Sequence, residues 1–110
     1  MEFTQSGAEA FIKKLTELIK SNLTNEQFGV SRLAQEMGMS RSNLHRKVKS
    51  QTGDTVSQFI KRIRLEKSME LLKETSLTIT DVAIQSGFNS VTYFTKCFKD
   101  QYGYPPGMAR

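Results

Sequence analysis

Two stretches of the chain, VSRLAQEMGMSRSNLHRKVKSQTG (Val30 to Gly53) and ITDVAIQSGFNSVTYFTKCFKDQYG (Ile79 to Gly103), can be laid over one another with a single one-residue gap. Ala34 meets Ala83, Gly38 meets Gly87, Lys49 meets Lys99, Gln51 meets Gln101 and Gly53 meets Gly103. The apolar positions keep step as well: Val30 with Ile79, Leu33 with Val82, Leu44 with Phe94, Val48 with Phe98. Two copies are too few for a solenoid, which needs about three stacked repeats to bury its faces. The pattern is that of one supersecondary unit, duplicated.

Each copy reads as a short helix, a glycine turn and a second helix. Ser31 and Thr80 are candidate N-caps, their hydroxyls accepting from orphan amides of the first turn. Amphipathic segments begin at Leu33-Ala34 and Val82-Ala83 and end at Gly38 and Gly87, glycine being the residue that takes a left-handed conformation without Cβ strain. The second helix is capped by Ser40 in one copy and by Asn89 or Ser90 in the other, and stops at Gly53 or Gly103. Two short helices joined by a glycine-containing turn make a helix-turn-helix signature. The small Ala34 and Ala83 leave room for a crossing helix to approach.

The second helices sort their residues by face. At about 100° per residue, Leu44, Val48 and Gln51 share one side, while Ser42, His45, Arg46 and Lys49 lie opposite. In the other copy Phe94, Phe98 and Gln101 are expected inward with Cys97 beside them, and Thr92, Thr95, Lys96 and Lys99 outward. Both outward faces are rich in donors, basic and free of acids. A plain solvated face normally mixes signs, whereas a helix lying in a major groove needs Arg or Lys for guanine and phosphate and shorter polar groups for other edges.

Between the copies lies TVSQFIKRIRLEKSMELLKET, Thr55 to Thr75, without Gly or Pro and with capping-box spacing from Thr55 to Gln58. Val56, Phe59, Ile60, Ile63, Met69, Leu71 and Leu72 give it apolar faces that can pack on both units. A helix of about 19 residues spans roughly 28 Å, and successive major-groove faces of B-DNA are about 34 Å apart, so this connector can hold two readers at neighbouring turns. Phe11, Ile12, Leu15, Leu18 and Ile19 mark a leading amphipathic helix that packs on the first unit. The expected organisation is a disordered or cloning-derived tail over 1–7 and one DNA-binding domain over 8–110, divided into a first subdomain (8–53), a linking helix (55–75) and a second subdomain (77–110).

A chain of 110 residues suffices for one modest domain and not for two with independent cores. Hydrophobic residues at 37% and charged residues at 25% suit an ordinary soluble fold rather than a disordered one. No apolar run approaches the roughly 20 residues that span a bilayer, and MEFTQSGAEAF lacks the pattern of a secretory signal. The single cysteine, Cys97, cannot form an internal disulfide, which suits a cytoplasmic setting. The net charge of +5 is concentrated: residues 41–67 carry Arg41, Arg46, Lys47, Lys49, Lys61, Arg62, Arg64 and Lys67 against only Asp54 and Glu66. Such a stripe attracts polyanions through counterion release, although charge alone does not separate nucleic acid from an anionic membrane. Catalysis has little to stand on. His45 is the only histidine, and paired metal-ligand spacing and a phosphate-cradling glycine loop are both missing.

The runs LAQEMGMSRSNLHRKVKSQTG, FIKRIRLEKSMELLKET and ITDVAIQSGFNSVTYFTKCFKDQYGYPPGMAR resemble the AraC/XylS family of transcriptional regulators, across roughly Phe11 to Arg110. Ala83, Gly87-Phe88, Tyr93-Phe94, Phe98-Lys99, Gly103, Pro106 and Arg110 carry the likeness most specifically. The resemblance implies an all-α, homeodomain-like fold of about seven helices, with two helix-turn-helix subdomains joined by a long helix. It implies binding of double-stranded DNA without cofactor or metal, through the third and sixth helices. By position, Ser42, His45 and Arg46 would face bases from the first unit, and Val91, Thr92, Thr95 and Lys96 from the second. Arg41, Lys49, Ser90 and Lys99 would contact phosphates. Val91 is alternatively a core residue, and Ala109 stands where the family usually has an aromatic before the final Arg. NEQFGVSRLAQEMGMSRSNLHRKVKSQTG is especially similar to members fused behind response regulators or hybrid sensor kinases. That likeness makes the chain the monomeric output domain of a larger protein, with RNA polymerase or a fused sensor or receiver domain as partner and no membrane. The alternative is a helical protein-interaction module on the same fold, which predicts an apolar patch on the recognition faces.

Overall fold

The computed structural model describes residues 7–25 and 27–110. Among these the chain forms six α-helices, α1 (Gly7–Ser21), α2 (Val30–Glu36), α3 (Arg41–Thr52), α4 (Val56–Glu74), α5 (Ile79–Gln85) and α6 (Val91–Tyr102), followed by a 3₁₀ turn over Pro106–Met108, and no strand. The 3₁₀ turn takes the place of the seventh helix. The tail expected over residues 1–7 lies outside the described residues except for Gly7, which opens α1.

The duplication is visible in the backbone. α2 and α5 have 7 residues each, α3 and α6 have 12 each. The Ser40 hydroxyl accepts from the Asn43 amide at 3.1 Å and the Ser90 hydroxyl from the Tyr93 amide at 3.2 Å, so Ser90 is the matching cap and Asn89 the extra residue. Gly53 and Gly103 end these helices at φ 79° and 85°, their amides donating to the carbonyls of Lys49 and Lys99. The first helix of each copy starts earlier than expected. Ser31 and Thr80 are second residues inside α2 and α5, not caps, because Val30 and Ile79 already turn inward to pack on the cores. Thr78 caps α5, accepting from the Asp81 amide at 3.1 Å, whereas Gly29 precedes α2 with no side chain to offer.

The core of this one domain forms two clusters that share α4. One joins Phe11, Leu15 and Ile19 of α1, Leu23, Phe28, Leu33, Ala34, Leu44, Val48 and the N-terminal half of α4 through Val56, Phe59 and Ile63. The other joins Leu65 and Leu72 of α4 to Val82, Ala83, Phe88, Phe94, Cys97, Phe98 and Ala109. Because α4 supplies members to both, neither cluster closes without it. Its N-terminus carries the expected capping box: the Thr55 hydroxyl accepts from the Gln58 amide, and the Gln58 side chain accepts from the Thr55 amide. Its C-terminus is closed by the far end of the chain. Arg110 Nε donates to the Leu72 carbonyl and Nη2 to the Thr75 carbonyl, both at 3.1 Å, which satisfies orphan acceptors and sets a cation at the negative end of the helix. Ala109, beside it, is buried against the second cluster.

Candidate nucleic-acid interface

α3 stands on Leu44 and Val48, both fully buried, and this fixes which side faces out. Arg41, Ser42, His45, Arg46 and Lys49 are all exposed. Arg46 Nη2 donates to Asn43 Oδ1 at 2.8 Å, and Lys49 Nζ donates to the Gly53 carbonyl at 2.9 Å, so both cations are held by neutral oxygens on their own unit. Asn43 had not been singled out from the sequence, and its spacing of three from Arg46 was the available signal. Lys47 leaves the face: its ammonium lies 4.5 Å from the centre of the Phe11 ring and ties α3 to α1. Gln51, expected inward, is exposed, as is Gln101 in the second copy. A buried carboxamide would need partners at both ends, and each side chain instead stays at the surface.

α6 stands on Phe94, Cys97 and Phe98. Ser90, Thr92, Lys96 and Lys99 are exposed, while Thr95 and Val91 are half-buried, Val91 packing on the second cluster. The acid-free face expected here is interrupted, because Lys96 Nζ lies 3.2 Å from Asp100 Oδ2, one turn further on. With side chains 74% and 69% exposed, that pair is worth well under about 1 kcal/mol and breaks readily. Tyr93, also half-exposed, sits tilted beside Phe88 at 6.1 Å between ring centres. Its hydrogen bond with the Cys97 thiol holds the phenol above its ordinary range.

The basic block of the sequence divides in the same way. On α4, Arg62 pairs with Asp54, Lys67 sits 3.9 Å from Glu70, and Arg64 is half-buried with its Nε lacking a hydrogen-bond partner. Burial pushes the Arg64 guanidinium below its ordinary pKa, yet arginine stays a cation at any physiological pH. Half-buried Lys61 and exposed Lys73 are the other cations of the linking helix, whose outward charge is thus partly answered by its acids, while α3 has no acid of its own. Among the described residues no cluster of His, Cys, Asp and Glu is placed to hold a metal, and no helix is long and apolar enough to cross a membrane. His45 stands exposed on the first unit and Cys97 lies buried in the second.

Comparison with known proteins places this geometry. A model of a helix-turn-helix domain matches residues 33–110. Over 100 residues the chain is 38% identical to histidine kinase P4 of Formosa agariphila, a match that covers 91% of this chain and 7% of that protein. The C-terminal domain of the two-component response regulator yesN from Fusobacterium nucleatum is similar in structure, with a TM-score of 0.80 and 30% identity over 96% of this chain and 99% of that one. The DNA-binding domain of AdpA, a global transcriptional factor solved with a target DNA, has a TM-score of 0.76 and 26% identity over 94% and 89% of the two chains. The chain spans less than half the length of the curated relatives it matches.

Proposed function

The chain belongs to the AraC-type family of helix-turn-helix DNA-binding domains, and from that premise we propose that it binds double-stranded DNA by setting α3 and α6 into successive major grooves. The observation that carries this is the pair of equivalent 12-residue helices on one 19-residue connector, the first with an exposed face of Arg41, Ser42, His45, Arg46 and Lys49 and no acid. In this arrangement Ser42, His45 and Arg46 read base edges from the first groove, and Val91, Thr92, Thr95 and Lys96 from the second. Half-buried Val91 keeps one edge toward a thymine methyl at most. Arg41, Lys49, Ser90 and Lys99 hold phosphates and set the register without reading sequence. The Ser90 hydroxyl keeps its proton to donate while its oxygen caps α6. About 15–20 base pairs are covered when two neighbouring grooves are read.

The domain acts as the output segment of a longer regulator in the cytoplasm, coupled to a sensory or receiver segment and to RNA polymerase. Likeness to part of a histidine kinase and to a response-regulator C-terminal domain supports that setting. No catalytic step is assigned to the chain itself, since His45 and Cys97 sit on different units and the thiol is buried.

Selection of the purified domain on random duplexes tests the reading. A bipartite motif with its halves about one helical turn apart is the expected outcome. Failure to enrich any motif contradicts it and favours a protein-interaction module. Transcription from the selected site with purified polymerase then reads whether the output is activation or repression.

A further inference from the structure

The two turn glycines are equivalent in sequence and unequal in surroundings. Gly38 and Gly87 both sit at positive φ, 70° and 96°. A Cβ built on Gly38 would meet nothing within 4 Å. One built on Gly87 would run into the backbone carbonyl of Leu23, which belongs to the first unit, and would lie 2.9 Å from Arg64 Nε on the linking helix. The missing side chain at Gly87 thus lets the turn of the second unit press against the loop that follows α1. Beside this contact Ser86 is fully buried with an unpartnered hydroxyl, and a cavity of about 400 Å³ runs along the seam between Asn25, Ile84 and Asn89.

We infer that Gly87, the Leu23 carbonyl and Arg64 form a joint that sets the angle between the two units, and with it the half-site spacing the domain accepts. α4 by itself fixes the distance between the units but leaves rotation about its axis to side-chain packing. A second, off-axis contact removes that freedom. The first copy needs its glycine only for the turn, because no other unit lies against it. Arg64 reaches into this seam with Nε toward Gly87, so a cation on the linking helix is turned inward and left without a partner at Nε. Gly87 and Arg64 are accordingly positioning residues: they touch no DNA and act through the placement of α6. This inference rests on the two-groove reading proposed above.

The test compares affinities for a selected bipartite duplex with those for the same halves moved one base pair closer or further apart. Wild-type domain should bind the displaced halves at least about tenfold more weakly, the equivalent of roughly 1.4 kcal/mol. Arg64→Ala and Gly87→Ala should bring that ratio to about threefold or less by losing affinity at the preferred spacing, that is, below roughly 0.7 kcal/mol. Gly38→Ala, likewise at positive φ but with open space around it, should keep the wild-type ratio. If Gly87→Ala fails to fold, as judged by its helical circular dichroism, Arg64→Ala decides alone. A wild-type ratio in folded Arg64→Ala overturns the joint and leaves the two-groove reading standing. Indifference of the wild-type domain to spacing also overturns the joint alone; only failure to select a bipartite duplex at all overturns the two-groove reading with it.

Discussion

The first and second helix-turn-helix units share a backbone and a sequence pattern but differ in what packs beneath them and what faces out. Both have a 7-residue helix, a glycine turn, a serine-capped 12-residue helix and a left-handed glycine at its end. Inside, the helix-turn-helix of the first packs aliphatic Leu33, Leu44 and Val48 and takes its rings, Phe11, Phe28 and Phe59, from α1, the following loop and α4, whereas the second packs its own Phe88, Phe94 and Phe98 ring on ring, with Tyr102 and Tyr104 extending the contacts. Outside, α3 shows cations held by neutral oxygens, while on α6 Asp100 answers Lys96. Duplication keeps what the backbone needs and frees the surfaces. We propose that the copies divide the work, with α3 carrying more of the base reading and α6 more of the placement.

The comparison can be broken first at its cores. Phe98→Ala removes a fully buried aromatic and should cost about 3–5 kcal/mol in denaturant unfolding. Its counterpart Val48→Ala loses two carbons, about 1.6 kcal/mol by transfer with a smaller cavity added. Equal losses would mean that the aromatic ring at this position lends the second unit no extra stability. At the recognition faces, Arg46→Ala should cost about 1–3 kcal/mol on a selected duplex and relax the preference at particular bases. Lys96→Ala should cost less, because the charge it withdraws is already shared with Asp100. If Arg46→Ala weakens random and selected DNA alike, Arg46 does not read bases.

Smaller effects sharpen the same contrast. Lys49→Ala and Lys99→Ala should each weaken all sequences similarly and lower the slope of log affinity against log salt by about 1. A sequence-dependent loss at either position would move it from placement to reading. Smallest are the caps. Thr78→Ala should cost about 1 kcal/mol. Gly29→Ser, at an extended residue with open space around its Cα, should add a few tenths by giving α2 the cap that α5 already has. Thermal unfolding measures both.

Much of this architecture was legible because it rests on local rules. The repeat, the turn glycines, the Ser40 cap and the Thr55–Gln58 capping box are decided within a few residues, and each stands where the pattern put it. The misses share a cause in tertiary packing. Ser31 and Thr80 have the chemistry of caps, but the inward pull on Val30 and Ile79 starts the helices earlier. Gln51 and Gln101 keep the apolar spacing yet stay exposed, since no partner inside would satisfy an amide. Leu65 and the fully buried Ser68 on α4 were invisible to periodicity, because the core side of that helix changes where one cluster hands over to the other. Ser68 is tolerated there by donating to the Leu65 carbonyl at 2.6 Å. Asp100 and Arg64 show the limit for the candidate interface: charge can be counted along a chain, but its pairing and direction depend on neighbours one turn or many residues away.

The unequal division between the units is the central claim, and scrambling one half of the selected duplex at a time tests it most directly. Scrambling the half under α3 should cost at least about tenfold more affinity than scrambling the half under α6, a difference near 1.4 kcal/mol. Equal losses, or the larger loss under α6, would contradict it.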